Sequence, residues 1–212
     1  MATVEILDRS SLIAGLYREL VLDPRQTAIV TIDMHRGHLD MDVATMPAKP
    51  EDAKRVIANA RAALGELDRL VPGRKSTVRE HNVEGSPGTQ IIPELYASGD
   101  YVINNKKRLD CFYGTDLRQL LDTLGVKNVV FMGINTNTCV LNTSFTAFNF
   151  DYRVVVLSDC VASMYGDDLH ALGLQNVARC LGWVITNEQL FEKIRASAPA
   201  AARKAPADAL AK

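Results

Sequence analysis

The chain has no apolar run approaching about 18 residues. Its N-terminus, MATVEILDRSSLIAG, lacks a basic region followed by a long apolar core. A membrane span and a secretory signal are therefore not expected, and a cytoplasmic location is. Charge of one sign is also missing: 24 Lys and Arg stand against 25 Asp and Glu, a net of -1. That leaves no basic stripe for nucleic acid and no lysine cluster for a membrane surface, so neither partner is expected. Cysteine is scarce. The four, at 111, 139, 160 and 180, form no C-x-x-C pair and lie too far apart for zinc-knuckle spacing, so they read as reduced thiols. No G-x-G-x-x-G follows a strand, and neither G-x-x-x-x-G-K-[ST] nor G-x-S-x-G occurs. Dinucleotide, nucleotide and serine-hydrolase chemistry thus lose their usual signatures.

What is present is the composition of an ordinary globular domain, 47% hydrophobic and 23% charged over 212 residues, enough for one sizeable core. Residues 1–195 are expected to form a single domain. The stretch 196–212, rich in Ala, Pro and Lys, reads as a tail that is either a mobile arm or an oligomer contact. Leu12, Ile13, Leu16, Tyr17 and Leu20 suggest a short helix laid on the body. Six apolar, β-branched stretches predict strands: Thr27–Ile32, Ser76–Arg79, Tyr101–Asn104, a run centred on Val129–Met132, Arg153–Leu157 and Trp183–Thr186. Between them lie helical patterns, from Pro50 to Leu70, after Thr115 as cap and closed by Gly125, after Cys139, and from Asp167 or Asp168 to Gly182. Parallel strands need crossovers, so this alternation predicts an α/β fold, Rossmann-like, with three α/β/α layers and a mainly parallel six-stranded sheet.

In open α/β sheets ligands bind at the C-terminal edge of the strands. Three chemically active residues follow strands here: Asp33 after TAIVTI, Lys106 or its neighbour Lys107 after the third strand, and Cys139 after VVFMGINTNT. With Thr136 or Asn137 as N-cap, Cys139 falls in the first turn of a helix, where unpaired N–H groups and the helix dipole favour thiolate. A carboxylate, an ammonium and a thiol in one crevice supply a base, electrostatic support and a nucleophile. Each also has a plainer alternative. Asp33 could cap a turn, the lysines could be solvated, and Cys139 could be a small buried hydrophobe. Spacing alone leaves both open.

Taken together, VTIDM, KKRLDCFYGTDL and GINTNTCV occur in an order and spacing that resemble the isochorismatase-like cysteine hydrolase superfamily, from Asp23 to Lys193. That superfamily contains nicotinamidases, N-carbamoylsarcosine amidohydrolases, ureidoacrylate and biuret hydrolases, and isochorismatases. The resemblance implies a catalytic Asp33, Lys106 and Cys139. It also implies a non-proline cis peptide bond between Ile134 and Asn135, and an oxyanion site made by the N–H groups of Asn135 and Cys139. His35, His38, His81, Phe112 and Asn137 are the expected substrate-binding residues.

Departures from the family pattern narrow the chemistry. After Asp33 the chain reads Met34, His35, Arg36, Gly37, His38, so an imidazole replaces the aromatic wall common in nicotinamidases. Where nicotinamidases bind a metal through an Asp-x-His pair, this chain has Arg79 and His81, and arginine cannot be that ligand. No metal and no cofactor are expected. Isochorismatases tend to carry an aromatic and a histidine before the nucleophile, where Asn135, Thr136 and Asn137 stand here. The resemblance therefore implies a cysteine amidohydrolase that cleaves the C–N bond of a small polar amide, ureide or carbamoyl compound through a thioester. The alternatives are a vinyl-ether hydrolase of the isochorismatase type and a silent member that binds a metabolite or partner. A homo-oligomer, dimer or tetramer, is expected.

Overall fold

The computed structural model describes residues 20–44, 47–70, 77–78 and 87–197. The proposed N-terminal helix, nearly all of the tail, Arg79 and His81 lie outside the described residues. The strands are β1 (Thr27–Ile32), β2 (Thr77–Val78), β3 (Val102–Ile103), β4 (Asn128–Ile134), β5 (Arg153–Ala162) and β6 (Gly182–Ile185). The helices are α1 (Arg36–Leu39), α2 (Pro50–Leu70), α3 (Leu117–Thr123), α4 (Leu141–Asn149), α5 (Asp167–Asn176) and α6 (Asn187–Ser197). Among the described residues no helix is long and apolar enough to cross a membrane.

A parallel sheet in the order β1-β4-β5-β6 forms the centre, and β2 pairs in parallel with β3 as a separate two-stranded sheet. The expected single six-stranded sheet is thus divided into four strands and two. β2 lies beside β1, but no described ladder joins them. A strand pair of two residues per strand offers too few backbone groups to extend pairing far. Placed side by side, the strands still run β3-β2-β1 on one flank and β4-β5-β6 on the other. Chain order reverses between β1 and β4, which is the switch point where a crevice opens at the strand ends.

Every residue of β1 and β4 is buried, as central parallel strands require when both faces are covered. The period of two then divides the side chains between two cores. Ile29, Val130, Met132, Ile134, Val155 and Leu157 meet Val56, Ala60 and Ala63 of α2 and Leu190 and Ile194 of α6. Ala28, Val30, Ile32, Val129, Phe131 and Val156 meet Leu117 and Leu121 of α3, Ala147 of α4, and Val177 and Leu181 beyond α5. Helices thus cover both faces, the layering that the strand and helix alternation implies.

One glycine is required by close approach. Gly133 has φ +129, and a Cβ there would stand 1.9 Å from the Ile32 carbonyl oxygen. Its missing side chain lets the end of β4 lie against the end of β1, where Asp33 begins. β5 also runs five residues further than its apolar pattern suggests, through Ser158 and Asp159 to Ala162. Both polar side chains are satisfied from neighbouring elements: the Ser158 hydroxyl donates to the Ile185 carbonyl at 3.2 Å, and the Asp159 carboxylate accepts from the Asn187 N–H at 3.1 Å. A register shift between Phe131 and Gly133 accommodates the extra length.

Candidate active site

Asp33 follows β1 with φ +51, a left-handed conformation that Asp tolerates better than most residues. Lys106 comes three residues after β3 and reaches across to it. Its Nζ donates to Asp33 Oδ1 at 2.9 Å and Oδ2 at 3.0 Å, and both side chains are 0% exposed. Of the two adjacent lysines it is therefore Lys106 that meets the aspartate. Burial alone would lower the Lys106 ammonium, but the charge of Asp33, aided by Cys111 and Cys139, outweighs it and holds the group above its ordinary value.

Cys139, 4% exposed, lies in a five-residue π-type turn, Thr136–Val140, between β4 and α4. The N-cap of that turn is Asn135, with no side-chain cap bond, rather than Thr136 or Asn137. The peptide bond Ile134–Asn135 is cis. The Asp33 carboxylate acts on the thiol through its charge, and the Thr138 hydroxyl approaches Sγ at 3.9 Å. Burial, then the charge of Asp33 and its hydrogen bond, push Cys139 up to about 12, while Lys106 pulls the other way without prevailing. A thiolate favoured by the helix start is therefore not the resting state. The buried thiol is held protonated, with the Asp33 carboxylate and the Lys106 ammonium acting on it.

The loop after Asp33 is buried as well. His35 is 1% exposed, its backbone bridges to Ile91, and its ring stacks on His38 at 4.5 Å between centroids. His38, on α1, is 8% exposed, so neither histidine decorates the surface. Arg36 is held by Asp40 at 2.5 Å and by the Gln90 side chain at 3.4 Å. An open groove of about 440 Å³ is lined by Arg36, Leu39, Asp40, Ile57 and Ile92 and includes none of Asp33, Lys106 and Cys139. Phe112 turns its ring to the core, edge-on to Phe150 at 5.5 Å and stacked on Tyr152 at 6.1 Å. Asn137 is half-buried, and its Oδ1 accepts from the Ser163 hydroxyl at 2.6 Å. Among the described residues no group of three or more His, Cys, Asp and Glu is arranged to hold a metal ion.

Two features beside the turn that carries Cys139 escape the sequence pattern. Ser163 binds Asn137, and Met164 N–H donates to Asn135 Oδ1 at 2.8 Å, so the segment after β5 clasps the turn from the side. Ending β5 at Leu157 puts the wrong residues at the strand edge. The signal that finds the true end is the Tyr165-Gly166-Asp167 turn at the opening of α5, where Gly166 has φ +121. Thr143 is the second: its Oγ1 accepts the Cys111 N–H at 3.1 Å, fixing the segment that follows Lys106 against the start of α4.

The fold resembles that of a cysteine hydrolase from Pseudomonas syringae pv. phaseolicola 1448A, with a TM-score of 0.75, 84% of this chain and 96% of that one covered, and 19% identity. In sequence the chain is 26% identical to the ureidoacrylate amidohydrolase RutB of Rhizobium rhizogenes, covering 85% of this chain and 88% of the relative. It is 24% identical to the maleamate amidohydrolase of Pseudomonas putida, covering 85% and 92%. The isochorismatase domain model matches residues 27–189, and the chain belongs to that family.

Proposed function

We propose that the protein is a cysteine amidohydrolase that cleaves the C–N bond of a small polar amide, ureide or carbamoyl compound. The observation that carries this reading is the fully buried Lys106–Asp33 ion pair, whose charges act on the buried Cys139 thiol. In the proposed sequence Asp33 takes the proton from Cys139 as Sγ attacks the substrate carbonyl carbon. The carbonyl oxygen becomes an oxyanion received by the N–H groups of Asn135 and Cys139. Protonated Asp33 then gives its proton to the departing nitrogen, the C–N bond breaks, and a thioester remains. Water attacks that thioester, losing its proton to Asp33, and the acid leaves as the proton returns to Cys139. Lys106 stays charged throughout and offsets the negative charge of the carboxylate and then of the thiolate. The relatives named as amidohydrolases support this class over ether cleavage. A homo-oligomeric assembly and a cytoplasmic location belong to the same proposal.

An ammonia-release screen over ureidoacrylate, maleamate, N-carbamoyl amino acids and short aliphatic amides tests it. Ammonia is expected from at least one polar substrate, at a rate unchanged by dialysis against a strong chelator. The residues proposed here need no Lewis acid once an oxyanion site is present. Pyruvate release from isochorismate without ammonia from any amide would move the protein to ether hydrolysis, and neither product would make it a binder. Activity lost on chelation and restored by zinc or manganese would contradict the metal-free mechanism.

Substrate choice is assigned to the histidine pair. His38 lies buried beside His35, close in sequence to Asp33, and can donate or accept a hydrogen bond where an aromatic wall cannot. Asn137, in the turn after the neighbouring strand β4, is proposed to contribute as well. A site built around a polar partner rejects analogues that lack it far more strongly than an apolar pocket rejects a change of size. His38→Phe is expected to lower kcat/KM for a ureide or polar amide by about 1 to 3 kcal/mol, the scale of one buried polar group left unpaired, while aromatic amides are spared. Equal losses on both substrate types would assign specificity elsewhere.

A further inference from the structure

The turn that carries Cys139 is pressed from one side by α5, a helix that the chemistry above leaves without a role. Thr136, 1% exposed and three residues before Cys139, shares a hydrogen bond of 2.8 Å between its Oγ1 and His170 Nδ1. One helical turn further along α5, Gly173 faces the same segment. A β-carbon there would stand 3.0 Å from the Thr136 carbonyl oxygen and 3.1 Å from Asn137 Cα and N. Those neighbours are backbone atoms and cannot swing aside. The same turn is also held by the Ser163 and Met164 bonds to Asn137 and Asn135.

The Asp167 carboxylate in the first turn of α5 accepts from Lys49 Nζ at 2.9 Å in an exposed ion pair, and the His170 N–H continues the helix by donating to the Gly166 carbonyl at 3.0 Å. Arg55 and Asp52 of α2 and Asp167 of α5 are the charged groups that act on the His170 ring. Burial and then Arg55 lower its pKa, against the pull of Asp52 and Asp167. That shift favours the neutral ring, whose Nδ1 can accept the Thr136 hydroxyl proton when the ring proton sits on Nε2.

We infer that α5 is a brace for the nucleophile turn, with His170 and Gly173 as positioning residues that set where Cys139 Sγ sits. His170 supplies a tether through Thr136, and Gly173 supplies the clearance that lets the helix close on the turn. The inference rests on the assignment of Cys139 as nucleophile, but its test does not depend on knowing the substrate.

Iodoacetamide is the probe, with peptide mapping of each cysteine in wild type, His170→Ala, His170→Asn and Gly173→Ala. Cys139, Cys111 and Cys160 are all buried, so each reports whether its own surroundings have opened. Loss of the tether is expected to raise the alkylation rate of Cys139 by about three- to tenfold, the scale of one hydrogen bond removed from a local closed state. Cys111 and Cys160 should remain as slow as in wild type. Gly173→Ala, which displaces the turn without removing a hydrogen bond, is expected to act in the same direction. His170→Asn, which keeps a polar group near the Nδ1 position, should return towards wild type. On any amide that releases ammonia, His170→Ala should lower kcat with KM little changed. Unchanged Cys139 labelling in both alanine variants, no recovery in His170→Asn, or equal opening of all three buried thiols would overturn the inference. The last of these would reduce His170 to a structural residue. If no amide is turned over, the labelling pattern alone still decides the brace, separately from the amidohydrolase assignment.

Discussion

Cys139→Ala is expected to abolish ammonia release, a loss of about three to six orders of magnitude, while the variant stays folded. The change removes one sulfur from a site that is already well packed, and Ala is tolerated in the first turns of a helix. Cys160→Ala and Cys180→Ala should keep turnover close to wild type. Cys160 sits on β5 with its Sγ bonded to Asn187 Oδ1 at 3.3 Å, and Cys180 is exposed. In the proposed mechanism the loss is large because nucleophile, base and ammonium act as one unit: without Sγ there is no atom to form the acyl bond, and Asp33 has no proton to take. Steady-state turnover with circular dichroism as the folding control measures it.

Lys106→Ala is expected to lose turnover and stability together. The ion pair is wholly out of water, and removing one partner leaves a carboxylate with no compensation, at a cost of about 3 to 5 kcal/mol. For a chain of this size that lowers Tm by about 6 to 20 °C. The double variant Asp33→Asn with Lys106→Met replaces the pair with neutral groups of similar volume. It should recover most of the lost Tm and none of the activity. Asn at position 33 keeps the tolerance for φ +51 that the strand end demands. The alkaline limb of stability follows in sign. Lys106 is held above its ordinary value in the folded protein, so its contribution is present through neutral pH and is lost as pH rises through the folded value. If the double variant melted no higher than Lys106→Ala, the buried-charge account of this pair would be wrong.

The strand ends before Asp33 and Cys139 are legible in the sequence because the runs that precede them are local, whereas only the resemblance singles out Lys106 over Lys107 after the two-residue β3. TAIVTI is rich in β-branched residues and VVFM of β4 is apolar throughout, and a polar residue after such a run marks the sheet edge. The helix Pro50–Leu70 matches its pattern from end to end for the same reason. What escaped is non-local. Ser158 and Asp159 look like a strand end, and only the Ile185 carbonyl and the Asn187 N–H, far along the chain, allow β5 to continue through them. The start of a helix near Cys139 suggests a favoured thiolate, yet the sign is set by burial and by Asp33, 106 positions earlier in the chain. The aromatic Phe112 is indistinguishable in sequence from a pocket wall until Phe150 and Tyr152 are seen to receive it. His170 belongs to a helix whose weak amphipathic pattern gives no hint that one of its residues reaches Thr136.

Covalent catalysis by Cys139 is tested most directly by acid-quenching the enzyme during steady-state turnover of the amide that releases ammonia fastest, then measuring intact mass and mapping the peptides. An added mass equal to the substrate acyl group is expected on the peptide containing Cys139 alone, chased away on dilution into substrate-free buffer and missing in Cys139→Ala. An acyl group on another residue, or ammonia release that persists in Cys139→Ala, would contradict it.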